Sequence, residues 1–207
     1  MLKVWGRTNS SNVQKVLWLC EELKLPFERT DAGMQHGVVN EAFYKKMNPN
    51  SRVPTIDEDG FVLWESNAIV RYLAAKHSTG TLWPADARVR ADADRWMDWA
   101  SIMFLPAFTP LFWGLVRTPA EKRDPNAIRA AVTASAQQLR VLEQGLEGKQ
   151  FAAGPAFTVG DIPIGVNLYR WFAFEGIERP PMPAVEAYYK RLTERPAYRK
   201  VIMILLS

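Results

Sequence analysis

The chain has 207 residues, 48% of them hydrophobic and 23% charged, with a formal net charge of +4. That is apolar material for one large core or two modest ones, and it excludes a disordered or fibrous chain. One cysteine, Cys20, and two histidines, His36 and His77, exclude an internal disulfide and a zinc cage, and no run of like charges marks a nucleic-acid surface.

Leu2 to Trp5 reads as a first strand, with no signal-like stretch at its start, so a cytoplasmic location is the expectation. From about Ser11 to Lys24, Val13, Val16, Leu17, Cys20 and Leu23 recur at helical spacing, with Glu21 and Glu22 outward and Pro26 ending the helix. Phe27 to Thr30 makes a second strand, Gly33 to Gly37 a loop, Glu41 to Met47 a turn or two of helix, and Asn48-Pro49-Asn50-Ser51 a turn. Asp59-Gly60 between the apolar runs Val53–Asp57 and Phe61–Trp64 is a hairpin signal. Ile69, Val70 and Leu73 follow at helical spacing, which puts Ser66 at the N-cap of a helix reaching about His77. The order β-α-β-α-β-β-α predicts a mixed sheet, parallel across the first helix and antiparallel at the hairpin.

Past Thr79–Pro84 the periodicity is helical almost throughout, which divides the chain into residues 1–78, a linker 79–85, and residues 86–207. Helices are predicted at about 86–117, broken or bent near Pro106 and Pro110, then 119–146, 161–175, 183–193, and a short one after Pro196. Trp99 to Val116 carries no charge, but its prolines and Gly114 point to a buried or pocket-lining helix, not a membrane span.

This order, with Ser10-Ser11-Asn12, Val53-Pro54, Glu65-Ser66 and Thr158-Val159-Gly160-Asp161, resembles the cytosolic glutathione transferases over essentially the whole chain. The stretch Asn48 to Thr55, followed by Glu65-Ser66-Asn67-Ala68-Ile69, is its most specific part. The resemblance implies a thioredoxin-like α/β N-terminal domain and an all-α C-terminal domain. It also implies glutathione as co-substrate, no metal, and a homodimer. Ser10 is similar to the serine of theta- and delta-like enzymes, and Asn12 to the asparagine of the nu class.

Roles follow from the resemblance, and each has a physical basis. A cis bond at Val53-Pro54 would present the Val53 backbone to the tripeptide as to an added strand. Ser66, at a helix start, would hold the γ-glutamyl carboxylate, and Glu65 the ammonium. Arg52 would meet the glycyl carboxylate, an end that His36, Gln35 and Lys45 could also reach. A free thiol with a pKa of roughly 8.5 is only about 3% ionised at pH 7, and lowering that pKa by ~2 takes ~2.7 kcal/mol. Ser10 is expected to be the main thiolate donor and Asn12 the second, with one residue of Ser10-Ser11-Asn12 capping the helix. Cys20 lies on the core face, and without a Cys-x-x-Cys pair thioredoxin-type redox chemistry is excluded.

Phe104, Phe108, Trp113 and Trp171 are the expected lining of a hydrophobic substrate pocket. Thr158 and Asp161 are expected to serve folding, as a helix cap. The function read from all this is conjugation of the glutathione thiolate to a hydrophobic electrophile. Dehalogenation, isomerisation and peroxide reduction start from the same thiolate. The alternative of another class is a binding or assembly module, which should have lost the ligand anchors.

Overall fold

In the computed structural model, which describes residues 1–207, four strands form one mixed sheet in the order β2-β1-β3-β4. β1 (Leu2–Trp5) runs parallel to β2 (Phe27–Thr30) across the crossover helix α1 (Ser11–Glu22), and antiparallel to β3 (Thr55–Glu58). β4 (Phe61–Trp64) completes the hairpin; its turn residues Asp59 and Gly60 have φ of 53° and 91°, the left-handed pair that suits a two-residue loop. Helix α2 (Ala42–Met47) precedes β3, and α3 (Ser66–His77) follows β4. Val13, Val16, Leu17 and Cys20 of α1 share one core with Ile69, Val70 and Leu73 of α3.

Three details of this half differ from the sequence expectation. Helix α1 stops at Glu22, and Lys24, at φ 53°, turns the chain before Pro26 is reached. Its acids are engaged: Glu22 accepts from Trp18 Nε1 (2.8 Å) and from two nitrogens of Arg195 (2.8 and 2.7 Å), and Glu21 pairs with Lys200 (2.7 Å). The reason is that α7 (Asp161–Ala173) and α9 (Pro196–Val201) cover the face of α1 that periodicity leaves for solvent. Wholly buried Trp18 fills that junction, and a Cβ on Gly165 would stand 2.8 Å from its ring, so only glycine lets α7 approach. The third difference is the start of α3. Glu65, not Ser66, is its N-cap, and Ser66 is already helical.

In the helical half, the Asp86 carboxylate caps α4 (Ala87–Trp99) by accepting from the N–H groups of Arg88 and Val89. Of the break or bend predicted near Pro106 and Pro110, no break forms. A π-turn at Ala100–Phe104 leads into α5 (Leu105–Phe112), and a second, Trp113–Arg117, ends the run. Proline removes single N–H groups from the ladder, and the ladder widens around them instead of stopping. The run Ala87–Arg117 is long and apolar enough by length and composition to cross a membrane, but here it packs on α7 and on the helix over Pro125–Gly145, and it buries Phe104, Phe108 and Leu111. Helix α6 (Pro125–Gly145) starts later than predicted, because Asp124 supplies the cap and Pro125 the first turn. Helix α8 (Pro183–Thr193) packs on α6 and α7.

At the start of α7 the Asp161 carboxylate is fully buried. It accepts from the Ala152 N–H and the Tyr188 hydroxyl (2.8 Å each) and from the Thr158 N–H (2.7 Å). The Thr158 hydroxyl accepts in turn from the Gly160 N–H (3.3 Å). Burial pushes the Asp161 carboxyl up to about 6, against the pull of its donors.

Candidate functional site

From the carboxyl end of β1 the chain passes through Gly6 and Arg7 to the first turn of α1. The first intrahelical bond there runs from the Gln14 N–H to the Ser10 carbonyl (2.8 Å), so the amides of Ser11, Asn12 and Val13 have no partner in the helix. Ser10 is the N-cap residue by backbone geometry, yet its side chain makes no capping bond, contrary to the expectation that one of these polar residues would cap. Its hydroxyl faces two adjoining cavities instead.

The larger cavity, about 620 Å³, is lined by Ser10, Asn12, Arg52, Val53, Pro54, Glu65 and Ser66, together with Arg7, Asn48 and Trp113. Segments separated by fifty residues converge here because α1 and α3 both begin at the same end of the strands as the Val53-Pro54 turn, where Trp5, Thr55 and Trp64 pair. That turn is held from beneath. The Tyr44 hydroxyl donates to the Arg52 carbonyl (2.7 Å), and Asn48 Nδ2 donates to the same carbonyl and to Thr55 Oγ1 (3.0 Å each). The Val53-Pro54 bond is cis, and the N–H and C=O of Val53 are left without backbone partners. Glu65 sits at φ 72°, ψ 110°, a region that costs a residue with a Cβ roughly 1–3 kcal/mol and is held only where the surroundings enforce it. Its carboxylate is exposed and unpaired beside the open amides of α3.

A residue the sequence reading missed lies under this cavity. Lys15, 3% exposed, donates from Nζ to Asn12 Oδ1 (3.0 Å) and to Ser66 Oγ (3.4 Å), and Ser66 Oγ donates to the same Asn12 oxygen (3.3 Å). With its oxygen occupied twice, Asn12 has its NH₂ left for the cavity. Burial lowers the Lys15 ammonium to about 8, while Glu65 pulls it up and Arg170 pushes it down. The i, i+3 spacing of Asn12 and Lys15 lets the two side chains meet, but that spacing alone does not signal a buried lysine.

The smaller cavity, about 390 Å³, adjoins the first at Ser10, Asn12 and Trp113 and is walled by Leu105, Phe108 and Phe112 together with Arg7, Arg117 and Arg170. Of the four aromatics expected to line a pocket, Phe108 and Trp113 line this cavity. Phe104 and Trp171 do not. Phe104 is fully buried and stacked on Trp99 (5.5 Å), and Trp171 is buried beneath the Arg179 guanidinium (5.7 Å). Helical spacing identified their apolar faces, but those faces pack into the core. Gln35 and His36 line a separate shallow recess, and Lys45 lines neither cavity. The Cys20 thiol is pushed up to about 12 by burial, which leaves it unreactive.

A thioredoxin-like sheet with two helix N-termini and the turn into β3 around one cavity is docked on a helical bundle that walls a second. The comparisons agree. The model of the glutathione S-transferase N-terminal domain matches residues 1–75, and that of the C-terminal domain residues 98–196. The chain is 44% identical to glutathione S-transferase GstB of Escherichia coli over the full length of both. A crystal structure of the theta class glutathione S-transferase from Xanthomonas axonopodis pv. citri with glutathione bound superposes with a TM-score of 0.94 at 44% identity, covering 100% of this chain and 99% of that one. A probable elongation factor 1-gamma of Arabidopsis thaliana is 29% identical over 83% of this chain but only 42% of its own. The chain belongs to the glutathione S-transferase family.

Proposed function

We propose that the chain binds glutathione in the larger cavity and transfers its thiolate to an electrophile held in the smaller one. The observation that carries this reading is the polar cluster of buried Lys15 and Ser66 with half-buried Asn12, of which Asn12 and Ser66 line the cavity. The cysteinyl backbone extends along Val53, the γ-glutamyl carboxylate meets Ser66 and the amides of α3, its ammonium meets Glu65, and Arg52 faces the glycyl end. The sulfur then lies at the start of α1, where the Ser10 hydroxyl is the main donor, the Asn12 NH₂ the second, and the open amides add the positive end of the helix.

In the reaction the thiol proton passes to solvent, the sulfur forms a bond to the electrophilic carbon, and the leaving group departs with its electron pair. A wholly non-catalytic assembly role fits less well, because Val53, Pro54, Glu65 and Ser66 are all present around an open cavity. The enzyme acts in the cytoplasm as a homodimer. Exposed Phe61 and Trp64 on the edge strand β4, and exposed Ile102 and Met103 past α4, support a second copy docking on that side.

The test is the pKa of the bound glutathione thiol, read by thiolate difference absorbance. In wild type it should fall to about 6.5, from roughly 8.5 in the free tripeptide. Ser10→Ala should raise it by about 1–2, and Asn12→Ala by less. Absence of glutathione binding in the wild type sinks the reading, and a rise confined to Asn12→Ala reverses the order of the donors.

A further inference from the structure

The smaller cavity is far more basic than an apolar electrophile requires. Arg7, Arg52, Arg117 and Arg170 line it, no aspartate or glutamate does, and none of the four forms a salt bridge anywhere in the chain. Arg170 is 7% exposed; its Nη2 donates to the Asn9 carbonyl (3.0 Å) and to Gln14 Oε1 (3.3 Å), and its guanidinium lies 4.6 Å from the centre of the Phe112 ring. The Arg117 guanidinium lies on the same ring at 5.7 Å, and Arg7 Nε is buried without a hydrogen-bond partner.

These cations repel one another. The Arg170 guanidinium is lowered to about 10, first by burial and then by Arg117 and Arg7, and Arg7 is lowered by burial and by Arg117. Such an arrangement is held against its own repulsion unless an anion completes it. Glutathione does not account for all of it. Its glycyl carboxylate has Arg52 and Arg7 within the larger cavity, whereas Arg117 and Arg170 line only the smaller one.

We propose that the smaller cavity selects electrophiles that carry a carboxylate on an aromatic or similarly flat body, with Arg117 as the anchor and Arg170 and Arg7 beside it. The inference rests on the reading of the larger cavity as the glutathione site, since that reading makes the smaller one the electrophile's. The flat body lies against Phe108, Phe112 and Trp113, and the carboxylate points to the guanidiniums. The same cations offset the repulsion between an anionic electrophile and the thiolate, which an apolar pocket would leave at full strength. Arg170, tied to the Asn9 carbonyl next to Ser10, also positions the loop that carries the thiolate donor. Arg117 has no hydrogen-bonded role of that kind and is the cleaner residue to change.

The test compares 4-chloro-3-nitrobenzoate with 4-chloro-3-nitrobenzamide. In each case the sulfur bonds to carbon 4 and chloride leaves with the C–Cl electron pair. kcat/KM for each compound is divided by the rate constant of free glutathione thiolate with that compound, which removes intrinsic reactivity. Wild type should favour the benzoate at least tenfold on this scale, and Arg117→Gln should bring the ratio to within about threefold of unity. An equal ratio in wild type, or a preference that survives Arg117→Gln, overturns the proposal. Binding of unreactive 3-nitrobenzoate and 3-nitrobenzamide, followed by quenching of tryptophan fluorescence, is the second readout. If the protein fails to bind glutathione, the transferase reading falls, but a benzoate-selective quench lost in Arg117→Gln still supports an anion site. If glutathione binds and the quench is the same for both compounds, the anion site alone falls.

Discussion

Two polar clusters lie at the starts of two helices, one at α7 around Asp161 and one at α1 around Lys15, and they differ in one respect. Around Asp161 every bond closes internally: the carboxylate receives two backbone N–H groups and the Tyr188 hydroxyl, all from the helical half. Around Lys15 the bonds close on one side only. Lys15 and Ser66 occupy the Asn12 oxygen, while the Asn12 amide, the Ser10 hydroxyl and the first amides of two helices face a cavity. A closed cluster contributes to stability, because its members have nothing further to bind. An open one lowers stability in the free protein and supplies affinity when a ligand completes it.

The strongest way to break that comparison is Asp161→Ala. It strips partners from two buried N–H groups and a buried hydroxyl, and should destabilise the protein by about 3–5 kcal/mol. For a chain of this size that lowers Tm by roughly 10 °C. Glutathione affinity, measured by calorimetry below the transition, should stay within about threefold of wild type. If affinity falls in step with stability, the two clusters are not separate devices.

Lys15→Met probes the open cluster and should move the two quantities in opposite directions. Glutathione affinity should fall about tenfold or more, because Asn12 and Ser66 lose the group that orients them. Stability of the free protein should rise by about 1–3 kcal/mol, since a buried cation with incomplete pairing gives way to an apolar side chain of similar length. The pH dependence follows from the Lys15 ammonium, lowered to about 8 from its ordinary 10.5. Between those values the unfolded chain holds a proton that the folded chain has released. Stability from this group therefore rises with pH through that window, by about 3 kcal/mol in all, and the penalty is complete below pH 8. Denaturant titrations should show the advantage of Lys15→Met shrinking between pH 8 and 10, and a constant gap would mean that Lys15 is not the titrating group.

How far each cluster can be read from sequence follows from the distances along the chain. Thr158 and Asp161 are three residues apart at a helix start, so their folding role was legible as a local cap, although Tyr188 was not. Ser10, Asn12, Val53-Pro54 and Glu65-Ser66 stand out as short local motifs in the same way, although Ser10 makes no capping bond and Glu65, not Ser66, is the N-cap of α3. Lys15 was not, because a lysine on an amphipathic helix reads as solvated, and its burial is decided by Ser66 on α3, 51 residues away. Arg117, at the end of the π-turn that follows α5, and Arg170 on α7 come together only because α5 and α7 pack together. Phe104 and Trp171 were misplaced by the converse limit: periodicity tells which face of a helix is apolar, not which neighbour covers it.

The finest test of the closed cluster is Tyr188→Phe. It removes one donor from Asp161 and leaves the Ala152 and Thr158 N–H groups in place. A hydrogen bond to a charged acceptor is worth about 1.5–3 kcal/mol, and the ring fills the same space, so the loss should lie at the low end of that range. It should also depend on Asp161: in an Asp161→Asn background, where the acceptor is neutral, the further cost of Tyr188→Phe should shrink to roughly 1 kcal/mol or less. An undiminished cost in that background would show that Tyr188 acts through packing against Phe151, whose ring lies 6.3 Å away, and not through the carboxylate. Neither variant should alter the bound thiol pKa, because nothing in the closed cluster reaches the cavity where the open one presents its donors.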